Sequence, residues 1–323
     1  MSQSGDVGGV RDALNGSLDL EFGLPVGNGQ WRWYIEASSD IRSNSIAARL
    51  PESNADAGSA VDPDNDGRIQ LSEFSYTHRY GADTQLTVGL IDPSSFVDRS
   101  RVANDENSQF LGASFVNNPL IQFPDYTLGI FGEHSGWRAL LTGSNGLADN
   151  AGLSYTELLA VTDDERGLFI NIEKVFELSD AQVAVGGWHN GAEIARHDGS
   201  GRNETNHGAY INADMSVGGL EVNTRAGVAN RKVSLADRFL AVSIARRVGD
   251  IDVGLGTATW FAADDGMDNA TQTELYAAIP AGGFVVVSPS IQYLSNSGMG
   301  WSGLSSGWVF SLRLRSSLAQ YAW

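Results

Sequence analysis

The chain has 323 residues, a formal net charge of −18, no cysteine and 38 glycines. Without cysteine there can be no disulfide, thiolate metal site or Cys-x-x-Cys-His haem attachment, and the acidic balance argues against a nucleic-acid partner. No apolar run approaches the roughly 18–20 residues of a spanning helix, which leaves a spanning barrel as the membrane option.

The opening "MSQSGDVGGV" has no basic segment followed by an apolar one, so no secretory leader is expected within it. From residue 17 onward the dominant signal is period two. It predicts strands at 17–24, 30–39, 69–80, 84–91, 126–134, 137–144, 167–178, 182–193, 207–217, 220–230, 238–248, 251–263, 271–281, 284–296 and 308–323. In "LEVNTRAGVA", for example, Leu220, Val222, Ala226 and Val228 share one face with Thr224, and Glu221, Asn223 and Arg225 share the other. Two-residue glycine turns at 218–219, 249–250 and 282–283 alternate with the long polar connections 194–206, 231–237, 264–270 and 297–307. Short turns at one end and long loops at the other describe one all-β domain over 1–323. It is a transmembrane, antiparallel up-and-down barrel of bacterial outer-membrane type. Single-chain bacterial barrels have even strand numbers, so a short first strand within residues 2–10 is expected to bring the count to about sixteen. Such a barrel encloses an aqueous lumen. The terminal "LAQYAW" places Tyr321 and Trp323 in alternation, as interface aromatics do, with a parity break between Leu314 and Tyr321.

Between the second and third strands lies "DPDNDGRIQLSE", which fits all the positions of an EF-hand loop. Asp62, Asp64 and Asp66 take positions 1, 3 and 5, with Gly67 at the sharp turn. Arg68 would offer its carbonyl, Gln70 would act through water, and Glu73 would bind bidentately at position 12. No helical period flanks the loop, so a sensor lacks its moving part. The expectation is a structural Ca²⁺ ion pinning an extracellular loop over residues 40–67.

Residues 92–125 are the longest stretch without alternation. They carry Phe96, Phe110, Leu111, Phe115, Leu120, Ile121 and Phe123, which is too apolar for disorder. This segment is expected to fold inward as a constriction loop, with Arg99, Arg101, Asp105, Glu106 and Asn107 at the eyelet.

The stretch 86–129 resembles the carbohydrate-selective porins of the OprB type. Its landmarks are Gly89, Asp92, Phe96, Phe110, Asn118-Pro119 and Pro124-Asp125-Tyr126, and the Gly8-Gly9 pair and the hairpin at 17–39 fit as well. The resemblance implies a sixteen-stranded outer-membrane barrel for passive uptake of sugars, narrowed by an inward loop.

With the apolar face of each strand turned to lipid, the inward positions include Arg32, Glu36, Arg79, Arg138, Glu173, Glu221, Arg225, Arg247, Glu274, Arg313 and Arg315. A charge facing lipid at the midplane would cost about 2–4 kcal/mol. Only Lys174 and Lys232 of the 21 basic residues are lysines, so the cations on this wall are arginines. Neutral or mildly anion-favouring permeation is therefore expected. The expected function is a porin for small polar solutes, carbohydrates first, against a general porin, an adhesin or an embedded enzyme. No Gly-x-Ser-x-Gly elbow, phosphate loop or His-x-x-x-His spacing supports catalysis. Outer-membrane lipid and small polar solutes such as sugars are the expected partners, with homo-oligomerisation left open.

Overall fold

The structure, a computed structural model, describes residues 1–7, 9–57, 60–61, 64–146, 166–296 and 306–318. Its strands are β1 (Ser2–Gly5), β2 (Ala13–Leu14), β3 (Ser17–Val26), β4 (Gly29–Ser38), β5 (Ile69–Arg79), β6 (Thr84–Ile91), β7 (Thr127–His134), β8 (Trp137–Gly143), β9 (Leu168–Glu177), β10 (Ala181–Ala195), β11 (Asn203–Val217), β12 (Leu220–Ala229), β13 (Ala236–Val248), β14 (Ile251–Ala262), β15 (Ala270–Pro280), β16 (Val285–Ser295) and β17 (Gly307–Ser316). All belong to one 17-stranded sheet. From β3 to β17 each strand pairs antiparallel with the next, as period-two sequences joined by short turns dictate. β1 joins the two ends of this run, pairing with β17 on one edge and β2 on the other. Met1 and Asn15 exchange backbone hydrogen bonds, and Gly16 accepts from Ser39, so β2 and β3 continue one another along a single stave. Counted this way the wall has sixteen staves. From Ser17 onward β3 draws its described ladder from β4 alone. The short first strand falls within residues 2–10, at Ser2–Gly5, and Tyr321, beyond the parity break, lies outside the described residues.

Alternation sets the two faces. Leu18, Leu20, Phe22 and Leu24 on β3, Ile170 and Ile172 on β9, and Phe310, Leu312 and Leu314 on β17 are all exposed on the outer surface. In a soluble protein such a girdle would be an aggregation surface; on a closed β-wall it is the lipid-facing belt. Tyr80, Trp137 and Phe284 lie near the short-turn end, where amphipathic rings suit the membrane interface. From β4 to β16 every strand is paired on both sides, as a bilayer demands. No described helix is long and apolar enough to cross a membrane.

The pleat is broken once where it matters. Tyr34 pairs with Glu73 but Ile35 pairs with Leu71, so Ser72 is an extra residue in β5. A bulge of this kind re-aims side chains. Gln70 and Ser72 point inward above it, and Glu73 and Ser75 point inward below it, all four buried. Gly89 faces this region from β6 with φ 140°, and a Cβ there would lie 2.3 Å from the Phe74 carbonyl oxygen. Only glycine allows the two strands to approach so closely.

Two chain segments fill part of the lumen. The expected one, 92–125, lies against the wall from β7 round to β17. Phe110, Phe115 and Leu120 pack with Phe239, Ala258 and Tyr276, while Val97 and Ile121 pack with Phe131, Phe169 and Tyr210. The second was expected to be extracellular. Instead, residues 46–55 turn inward through a short helix, Ile46–Arg49, capped by Ser45. Ile46 and Leu50 are fully buried with Val7, Leu294 and Val309. Gln272 and Gln292 donate to the carbonyls of Glu52 and Ser53, and Ala55 donates to Leu111 of the other segment. Burying these apolar side chains, each worth about 1.5–3 kcal/mol, draws the segment off the rim.

Candidate functional site: the lumen and its constriction

Every predicted inward residue on a strand does face the lumen side, but they meet different fates there. Arg225 is fully buried. Its Nε lies 2.9 Å from Asp98 Oδ2, and its Nη groups donate to the carbonyls of Phe115 and Asp98 and to Asn104. Glu274, also fully buried, accepts from the backbone N–H of Leu111 and of Gly112, the latter at 2.7 Å. Glu173 accepts from Arg138, from Tyr210 and from the Asp98 N–H. Arg313 donates to the carbonyls of Glu106 and Gln109. These residues hold the constriction loop to the wall, so the expectation that Arg225 and Glu274 line open pore is corrected. Parity reports the lumen side of a strand but not which part of that side a loop covers.

Sequence reasoning missed several members of this anchor. Asp214 accepts from the Ser100 hydroxyl and the Arg101 N–H, and Asn212 donates to the carbonyls of Asp98 and Arg99. Both alternate with Ile211 and Ala213 on β11, so the parity used for Arg225 would have found them. Burial raises the Asp98 carboxyl to about 6 despite the neighbouring Arg225, with Glu173 adding repulsion.

The remaining opening lies between the β3–β6 wall and the two inward segments. Arg32 bridges Glu21 at 2.9 Å and Glu73 at 2.6 Å. Glu36 accepts from Ser72. Across the lumen, Asn107 at the loop tip donates to Asp19 of β3 at 3.4 Å. Asp105 accepts from the Asn107 N–H and the Ser108 hydroxyl, and Asp56 from the other segment accepts from Ser17. Burial pushes the Glu106 carboxyl up to about 7, with Asp105, Asp56 and Asp92 adding repulsion. Burial likewise raises Asp56, and it lowers the Arg99 guanidinium, which also faces Arg138. Arg101 is largely exposed, 3.9 Å from Asp214. Toward the short-turn end, Gln30, Thr77, Arg79, Gln85, Thr87 and Phe96 line a cavity of about 620 Å³. Glu221 and Arg247 sit at that rim, bonded to Ser216 and Asp252, while Arg315 follows Arg313 inward on β17.

The EF-hand-like residues do not assemble as the spacing implies. Asp62 lies outside the described residues. The left-handed residue of the turn is Asn65, φ 67°, rather than Gly67. Gly67 is needed for close approach, since a Cβ there would lie 2.0 Å from the Ser38 carbonyl oxygen. The Arg68 carbonyl accepts from Ser38, and Gln70 is bonded to Arg68 and Ser72. The bulge turns Glu73 into the lumen, where both its oxygens accept from Arg32. Among the described residues no group of three or more His, Cys, Asp or Glu is placed to hold a metal. Of the described positions, Gln70, the Arg68 carbonyl and Glu73 are thus engaged by protein groups.

No family model matches the chain. A 42-residue stretch is 48% identical to an uncharacterized protein of Aquifex aeolicus, covering 13% of this chain and 14% of that protein. Among solved structures, the chain is similar to Pseudomonas putida OprB at high pH, with a TM-score of 0.73, 12% identity, and 98% of this chain and 91% of that one covered. It is also similar to a mutant of Rh. blastica porin (TM-score 0.58, 13% identity, 98% and 96% covered). A trimer form of in-vitro folded OmpT, an outer membrane protein of Vibrio cholerae, follows at 0.51 (9% identity, 97% and 96% covered). At these identities the likeness shows the fold. The chain has the porin fold, an antiparallel up-and-down transmembrane β-barrel.

Proposed function

We propose that the protein is an outer-membrane channel for passive diffusion of small polar solutes, with neutral carbohydrates among them. The observation that carries this reading is the inward segment 92–125, held against one side of a sixteen-stave wall by buried polar contacts. A barrel that only displayed loops or anchored an adhesin would have no use for a braced constriction. Hydrogen-bonding side chains and the Phe96 ring around the 620 Å³ cavity suit hydroxyl-rich solutes. The porin likeness supports a channel, and the OprB resemblance supports sugars over a general solute range. Liposomes carrying the purified protein should swell in neutral sugars faster than in organic acids of similar size. Equal exclusion of sugars and acids would remove the carbohydrate reading. Assembly as a homo-oligomer is part of the proposal and follows the trimer form of its neighbour.

A calcium ion at the 62–66 turn is a second reading, favoured by three aspartates within five residues. Its donors would be Asp62, Asp64 and Asp66, with Glu73 left to Arg32. In this reading the ion stiffens the turn and takes no part in permeation.

A further inference from the structure

We propose that the constriction selects by charge, passing cationic and neutral polar solutes and holding back anions. This deepens the channel reading and rests on it. It runs against the anion-favouring permeation that the inward arginines imply.

The argument is a balance of partners. Three of the arginines on the lumen wall are paired with carboxylates. Arg32 is bridged to two carboxylates, Arg138 to Glu133 and Glu173, and Arg225 to Asp98. Arg313 keeps its charge but turns its Nη groups away from the opening's acids, onto the loop carbonyls of Glu106 and Gln109. A bridged guanidinium presents almost no net charge to a passing ion.

The acids around the opening are in the opposite condition. Asp19, Glu36, Asp92, Asp105 and Glu106 form no ion pair among the described residues. Asp19, Glu36, Asp92 and Asp105 accept from neutral donors, among them Asn107, Ser72, Ser94 and Ser108. A hydroxyl or amide donor orients a carboxylate without cancelling its charge. These groups come from separate elements, β3, β4 and the constriction loop, yet they converge. Tyr34 on the wall is faced by Glu36, Asp19 and Glu106 together, and Glu106 by Asp105, Asp56 and Asp92. The narrow point thus carries a negative field with low-dielectric walls, which concentrates cations there and raises the barrier for anions. No bound ion is required; the selection acts on solutes in transit.

The test is a reversal potential across a planar bilayer holding the full chain in a KCl gradient at pH 8. The wild type should prefer K⁺ to Cl⁻. Asp105→Asn with Glu106→Gln should reduce that preference by about twofold per carboxylate, the effect of a unit charge roughly 8 Å away in water. Should that double variant fail to fold, Asp19→Asn on the wall reads the same field. Preference for Cl⁻ in the wild type, or a ratio unmoved by these changes, overturns the proposal. Absence of any conductance in folded protein would instead defeat the channel reading, so the two failures are distinct.

Discussion

Arg225 on β12 and Asp98 in the constriction loop form an ion pair, 2.9 Å from Nε to Oδ2, with each side chain 1% exposed. The Nε–H is not aligned for a hydrogen bond to that carboxylate, while the Nη groups are bonded to the loop's carbonyls. The pair therefore acts as a clamp between wall and loop. Removing one member strands a buried charge, which typically costs about 3–5 kcal/mol.

Arg225→Met should accordingly loosen the loop while leaving the wall intact, because the strand ladder is satisfied without it. Limited proteolysis from the lumen side should cut within 92–125 in the variant and spare the parent, and single-channel current should become noisier. Identical protection in both proteins would show that the clamp is dispensable.

Glu274 makes a different kind of contact, accepting two backbone N–H groups at Leu111 and Gly112. Glu274→Ala leaves both buried donors without an acceptor, at about 1–3 kcal/mol each. Glu274→Gln keeps one carbonyl oxygen and should cost clearly less. Hydrogen exchange at 111–112 should rank the proteins in that order, alanine fastest. Equal exchange in the two variants would mean the carboxylate is not the acceptor that matters.

The eyelet should respond to pH through Glu106, whose carboxyl titrates near 7 because it is buried, with Asp105, Asp56 and Asp92 adding repulsion. Tyr34 also faces it, and Arg313 bonds its carbonyl. Lowering pH from 8 to 6 protonates it and removes a negative charge, so preference for K⁺ should fall over that interval. The stability sign follows from the same shift. A carboxyl raised above its unfolded value favours the folded loop fully below about pH 4 and loses that contribution as pH rises through about 7. Loop protection against protease should thus be greater at pH 5 than at pH 8. In Glu106→Gln, the fall in selectivity between pH 8 and 6 should be largely absent.

Glu73 separates the two readings of the 62–73 segment. Held by Arg32 inside the lumen, it should not contribute to calcium affinity. Calcium should therefore protect the 60–68 turn from protease equally in the parent and in Glu73→Gln. Loss of protection in the variant would return Glu73 to the ligand set, and no protection in either would leave the turn without an ion.

Most of the wall was legible in the sequence because a half-buried strand writes its faces as alternation. "FSLRLRS" puts Arg313 and Arg315 inward and Leu312 and Leu314 outward, and the structure agrees. The bulge at Ser72 left no such mark, since one extra residue looks like continued alternation until a partner strand is present. Residues 46–55 were read as an outer loop because a four-residue helix is too short to show a period. Asp19 was overlooked within the apolar "LDLEFG", although its parity is inward. The division between clamps such as Arg225 and open-lumen groups such as Arg79 was not legible at all. It depends on where the loops lie, which is a matter of packing between segments far apart in the chain.

The central claim is an open, narrowed lumen, and single-channel recording in a planar bilayer tests it most directly. The purified protein should give ohmic current steps of uniform size, larger or noisier once Arg225→Met releases the constriction loop. A correctly folded protein that inserts yet stays electrically silent, in the parent and the variant alike, would contradict it.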